Sequence, residues 1–112
     1  MIKLYGIKNC DSVKKAGKYL EDSGIEYKFH DFKKDGLERN VLQNWVDVIG
    51  WEPLLNKRGT TWRKLPDEVK ESVVDSNSAI CVMLDNLSVI KRPVVENDGK
   101  IAVGFDSVKE LV

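Results

Sequence analysis

The chain has 112 residues, 42% hydrophobic and 32% charged, and its eighteen basic side chains balance eighteen acidic ones. That length fits one domain burying roughly 65% of its unfolded surface, and the composition excludes a disordered chain. Zero formal charge argues against a broad nucleic-acid or polybasic membrane surface, no apolar run reaches membrane-spanning length, and two scattered cysteines are too few for a secreted disulfide scaffold.

In chain order, Ile2-Lys3-Leu4-Tyr5-Gly6 alternates and predicts a first strand. From Asp11, the residues Val13, Ala16, Gly17 and Leu20 recur at helical spacing, and Gly24 stops the run. Ile25, Tyr27 and Phe29 alternate with Glu26, Lys28 and His30, which predicts a half-buried second strand with His30 at the surface. Strand, helix and strand in about thirty residues predict a parallel βαβ unit with a right-handed crossover.

Asp35-Gly36-Leu37-Glu38 reads as a capping box ahead of a helix with Val41, Leu42, Trp45, Val48 and Ile49, closed by Gly50. Trp51 to Asn56 reads as a short helix, and the polar, Thr-containing stretch Lys57 to Lys64 as a loop. Pro66 suits a first helical turn with Val69, Val73 and Val74 on one face. Ser76 or Asn77 is the expected cap of a helix bearing Ala79, Ile80, Met83 and Leu84, with Cys81 at or near the core. Val89 to Val95 is extended, Asn97-Asp98-Gly99-Lys100 is a hairpin turn, and Ile101-Ala102-Val103 pairs back. Asp106 is the expected cap of a last helix with Val108, Leu111 and Val112. The expected class is α/β: βαβ, an inserted helical block at about 35–86, then ββα, within one domain spanning 1–112.

Cys10 ends the first strand's connection and begins the first helix. A thiol there faces unpaired backbone N–H groups and the positive end of the helix dipole, both of which favour the nucleophilic thiolate. Its neighbours Lys8, Asn9 and Asp11 are polar, which argues against a merely buried cysteine. A helix terminus supplies about 0.3–1 kcal/mol, under one pKa unit, so further cations are needed. Arg58, ahead of Gly59-Thr60-Thr61, and Arg92, ahead of Pro93, stand out from the other basic residues because a guanidinium fork suits oxyanions and carboxylates. Arg92–Pro93 reads either as an ordinary trans proline at a strand start or as a cis bond beside the ligand crevice. A phosphatase loop of the Cys-x5-Arg type is excluded, because Ala16 stands where the Arg is needed. One His and two distant Cys give no zinc-ligand spacing. Trp45, Trp51 and Trp62 read as packing residues.

Three segments, Tyr5-Gly6-Ile7-Lys8-Asn9-Cys10-Asp11-Ser12, Leu55-Asn56-Lys57-Arg58-Gly59-Thr60-Thr61-Trp62 and Ile90-Lys91-Arg92-Pro93-Val94, resemble the arsenate reductase-like family. Its branches include glutaredoxin-coupled arsenate reductases, Spx transcriptional regulators and YffB proteins, and the last is the nearest in these motifs. The resemblance implies a thioredoxin-like fold with a mixed four-stranded sheet and an inserted helical block. It implies that Cys10 is the catalytic thiol, that Arg58 and Arg92 bind an oxyanion or a glutathione carboxylate, and that Pro93 is a cis-proline. Two departures stand out. Val94 to Val112 contains no Arg, where arsenate reductases of this type carry one, and Val13 stands where Spx regulators carry a second cysteine.

The function expected is a bacterial, cytoplasmic, glutathione-dependent thiol–disulfide reductase with one active cysteine. Cys10 attacks, Arg58, Arg92, Pro93, Asn9 and Lys8 bind, and no metal or prosthetic group takes part. Glutathione is the expected co-substrate and glutaredoxin a further partner, with no direct nucleic-acid or membrane contact. The alternatives are a glutathione-coupled arsenate reductase and an Spx-like regulator docking on RNA polymerase. Cys81 as a resolving thiol is the lesser alternative to a packing role.

Overall fold

Alternation at the N-terminus and helical spacing after it produce the first two elements as expected. The computed structural model describes residues 2–111, and within them β1 runs Ile2–Gly6 and α1 runs Asp11–Asp22. The buried residues of α1 are Val13, Ala16, Gly17 and Leu20, the face that the spacing predicts. Gly24, at φ 71°, ends the run.

The chain then divides into two compact units, one made of residues up to Gly36 together with those from Arg92 onward, the other of Leu37–Lys91. The first unit holds β1, α1, β2 (Tyr27–Asp31), the single-turn α2 (Phe32–Asp35), β3 (Val94–Asn97), β4 (Lys100–Val103) and α7 (Phe105–Leu111). Its four strands lie in the order β2-β1-β3-β4. β1 and β2 are parallel, with Ile2 opposite Tyr27, Leu4 opposite Phe29 and Gly6 opposite Asp31. β1 and β3 are antiparallel, with Leu4 opposite Val95 and Tyr5 opposite Val94. β3 and β4 form the expected hairpin, whose Asp98 and Gly99 take φ 50° and 81°. This mixed α/β sheet is the thioredoxin-like arrangement that the resemblance implies.

Side chains from one face of the sheet meet α1 and α7 in a core of Ile2, Leu4, Val13, Ala16, Leu20, Val95, Ala102 and Val108. Burying each of its large aliphatic side chains contributes about 1.5–3 kcal/mol. Gly6 permits the closest approach: a Cβ there would collide with the side chain of Val13. The glycine therefore lets α1 lie tightly on the end of β1 that leads into Cys10.

The second unit contains α3 (Arg39–Ile49), α4 (Thr60–Arg63), α5 (Asp67–Glu71) and α6 (Ser76–Asp85), with 3-10 turns at Glu52–Leu54 and Leu87–Val89. Leu42, Trp45, Val46, Leu54, Ile80, Met83, Val89 and Ile90 are buried, and Leu55 bridges antiparallel to Ile90.

Several local expectations are corrected. β2 starts at Tyr27 because the Ile25 N–H donates to Leu20 O and so closes the end of α1. Phe29 is 44% exposed on this edge strand, whereas His30 is half-buried beside the Tyr5 ring, with centroids 5.3 Å apart. The capping box at Asp35–Glu38 does not form: Asp31 caps α2, and Glu38 precedes α3 without a side-chain cap bond. The box forms instead at Asp75 and Ser78, one residue ahead of the predicted cap, because the Asp75 carboxylate accepts the Ser78 N–H while the Ser78 hydroxyl accepts the Asp75 N–H. The expected loop 57–64 contains α4, since the Gly59 carbonyl accepts the Arg63 N–H.

Pro66 precedes α5 as its cap rather than opening its first turn, and Val74 is 75% exposed. Val48 is exposed and Leu84 only half-buried, because the buried stripes of α3 and α6 are narrower than the spacing suggests. Cys81 is exposed, because Ala79, Ile80, Val82 and Met83 take the buried positions of α6. The extended run 89–95 resolves into the end of a 3-10 turn, the bridge at Ile90 and then β3. Asp106 lies inside the first turn of α7 rather than capping it, and Val112 lies outside the described residues.

Candidate functional site

Cys10 is the N-cap residue of α1. Its backbone is extended at φ −96° and ψ 125°, its N–H donates to Ile7 O at 3.2 Å, and its carbonyl accepts the Lys14 N–H at 3.0 Å. Its side chain makes no cap hydrogen bond, so Sγ is not spent on the first-turn amides. The thiol is half-buried, packed against the sheet–helix core on one side. Lys8 and Asn9 are exposed at the tip of the Ile7–Cys10 turn.

Strand register determines what shares that end of the sheet. Tyr5 is opposite Val94 in an antiparallel pair. Going forward from Tyr5 to Cys10 and backward from Val94 to Pro93 and Arg92 therefore leads the same way. The Arg92–Pro93 bond is cis, Pro93 is buried, and its carbonyl accepts the Gly104 N–H at 2.8 Å. Arg92 is half-buried. The fold thus gathers Lys8, Asn9, Cys10, Arg92 and Pro93 at one end of the first unit.

Arg58 belongs to the second unit. It is exposed in the turn that leads into α4, where its backbone N–H donates to Asn56 Oδ1 at 3.3 Å. The neighbouring Lys57 Nζ stands 5.9 Å over the Trp62 ring. Cys81, in the same unit, accepts a long hydrogen bond from Arg39 Nη1 at 4.0 Å. Among the described residues no three His, Cys, Asp or Glu side chains gather as metal ligands, and no helix is long and apolar enough to cross a membrane.

One participant at the Cys10 end escapes the sequence reading. Asp31 Oδ2 accepts the Lys8 N–H at 3.2 Å, while Oδ1 accepts those of Lys33 and Lys34, each at 3.1 Å. Burial pushes this carboxyl upward, but the amides of Lys34, Lys8 and Lys33 and the Lys34 charge outweigh it and hold it below the usual 3.8. The signal was present in Asp31-Phe32-Lys33-Lys34, an N-cap residue type ahead of a cationic turn. Its link back to Lys8 is not a local signal. An open groove of about 440 Å³ has Lys8, Lys14, Lys18, Tyr27 and Phe29 among its lining residues, but Cys10 is not in its wall.

Residues 5–110 match the model of the ArsC family. An uncharacterized protein of Haemophilus influenzae is 50% identical over 106 residues, 95% of this chain and 92% of that one. A solved structure described as a YffB protein superposes with a TM-score of 0.88 at 45% identity, covering 94% of this chain and 91% of that one. The solution structure of an arsenate reductase (ArsC) related protein from Brucella melitensis gives 0.76 at 53% identity, covering 93% and 86%.

Proposed function

The chain belongs to the ArsC family, and from that premise we propose that it is a thiol–disulfide reductase that uses glutathione and one cysteine, Cys10. The carrying observation is the placement of Cys10: a thiol at the start of a twelve-residue helix, with no cap bond on its sulfur. The active nucleophile is the thiolate, and helix N-termini stabilise anions through unbonded N–H groups and the dipole.

In the first step Cys10 Sγ attacks one sulfur of a disulfide. The new S–S bond forms as the old one breaks, and the departing thiolate leaves with the electron pair and takes a proton from water. In the second step a glutathione thiolate attacks the sulfur bonded to Cys10. If that sulfur is glutathione's, glutathione disulfide leaves and Cys10 returns as thiolate. A glutathione mixed disulfide therefore consumes one glutathione thiol, whereas any other disulfide is first converted into a glutathione mixed disulfide that passes through the same two steps, so that two glutathione thiols are oxidised in all. Arg92 and Arg58 bind glutathione carboxylates, Pro93 lines the approach to the sulfur, and Lys8 and Asn9 contact the incoming chain. Glutaredoxin serves as a further thiol partner, in the cytoplasm, and no metal or prosthetic group is used. Membership of the ArsC family makes the chain arsenate reductase-like.

Arsenate reduction is the second reading, favoured by the arsenate reductase related structure at 53% identity and opposed by the missing Arg in Val94–Val112. The deciding experiment is intact-mass analysis of wild type, Cys10→Ser and Cys81→Ser after exposure to oxidised glutathione. One adduct is expected in wild type and Cys81→Ser, and none in Cys10→Ser. An adduct that survives in Cys10→Ser and disappears in Cys81→Ser overturns the assignment. RNA polymerase subunits co-purifying equally with wild type and Cys10→Ser would favour an Spx-like regulator instead.

A further inference from the structure

A helix N-cap needs one acceptor oxygen, and Asp31 Oδ1 fills that need for α2 by taking the N–H groups of Lys33 and Lys34. Its second oxygen serves another part of the chain: Oδ2 accepts the N–H of Lys8, two residues before the candidate nucleophile. Register makes this possible, because Asp31 stands opposite Gly6, where β1 gives way to the cysteine turn. The turn's own backbone bond, Cys10 N–H to Ile7 O at 3.2 Å, closes it on the far side of Lys8. A charged acceptor makes such a bond roughly twice as strong as a neutral one.

We infer that Asp31 is a positioning residue for Cys10, its carboxylate clamping the Ile7–Cys10 turn to the end of β2 and so holding the sulfur in one orientation for attack on a disulfide. This rests on the reading of Cys10 as the nucleophile. In-line attack on a bulky disulfide depends on alignment, whereas a small alkylating agent reaches the sulfur from many directions.

Asp31→Ser tests it, because serine still caps α2 but has one oxygen where Asp31 uses two. In this variant the Lys8 amide is expected to exchange with solvent about tenfold faster. The rate of Cys10 with oxidised glutathione is expected to fall about tenfold, while its rate with iodoacetamide does not fall. Unchanged exchange at Lys8, or an equal loss with both reagents, overturns the inference. A second measurement needs no variant. In the wild type, the amide resonances of Lys8, Lys33 and Lys34 should move together in one acid titration, and a Lys8 amide that does not follow the other two also overturns it. If wild-type Cys10 takes no glutathione adduct, the functional reading falls, and the Lys8 titration and exchange still decide whether Asp31 holds the turn.

Discussion

Tyr5 shows how one residue's surroundings set its chemistry. Its hydroxyl donates to Glu96 Oε1 at 3.3 Å. Burial first, then the Glu96 charge and that hydrogen bond, push the phenol from 10.0 up to about 12. The folded state therefore favours the neutral phenol. Its contribution to stability is complete below pH 10 and is lost as pH rises toward about 12. Tyr5 should ionise in a late phase, near pH 12, of a titration followed by phenolate absorbance. Tyr5→Phe should remove that late phase and weaken the alkaline loss of stability. A late phase that persists in the variant would assign it elsewhere. The carboxylates act in the opposite sense. Asp31 and Asp75 both lie below the ordinary 3.8, so their contributions are present above that value and are lost as pH falls through the depressed ones.

Two elements translate these residues into measurable stability. At the end of β1 a Cβ on residue 6 would collide with the Val13 side chain of α1, so either that side chain or the helix must shift to admit it. Gly6→Ala should cost about 1–3 kcal/mol by overpacking, read as a lower denaturant midpoint. Because the displaced element is the helix that begins at Cys10, the cysteine's reaction with oxidised glutathione should slow as well. An alanine variant of wild-type stability would mean that Val13 yields easily. In α6 the capping box belongs to Asp75, whose carboxyl is lowered by the Ser78 N–H and hydroxyl. Asp75→Ser leaves a neutral cap and should flatten the acid dependence of unfolding below the carboxylate range. An acid limb as steep as the wild type's would show that Asp75 does not contribute there.

At the scale of the whole molecule, connectivity ties the units together. β1 pairs with β3 only after the chain has passed through Leu37–Lys91. Closing that segment as a disordered loop would cost on the order of 3–4 kcal/mol. All three tryptophans lie in the second unit, while Leu4 and Val95 face each other in the sheet of the first. Leu42→Ala, in the buried stripe of α3, should cost about 2–5 kcal/mol. It should lower the tryptophan-detected midpoint and speed exchange at the Leu4 and Val95 amides together. Full protection at Leu4 and Val95 despite a lowered tryptophan midpoint would mean that the units unfold independently.

The amino-acid sequence by itself determined the elements whose signals are local. The period-2 run of β1, the Val13, Ala16, Gly17 and Leu20 stripe of α1 and the Asn97–Lys100 turn all depend on residues a few positions apart, so neighbouring side chains suffice to specify them. The place of Cys10 at the start of α1 was legible for the same reason, since a polar turn between strand and helix is written in eight consecutive residues. Only the tertiary structure decided that Arg92 and Pro93 share the Cys10 end, that His30 lies against Tyr5, that Cys81 faces outward and that Asp31 reaches back to Lys8. Those facts follow from strand register and from which helical positions win burial. Both are settled by hydrogen bonds and packing between segments distant in the chain, which no local period encodes.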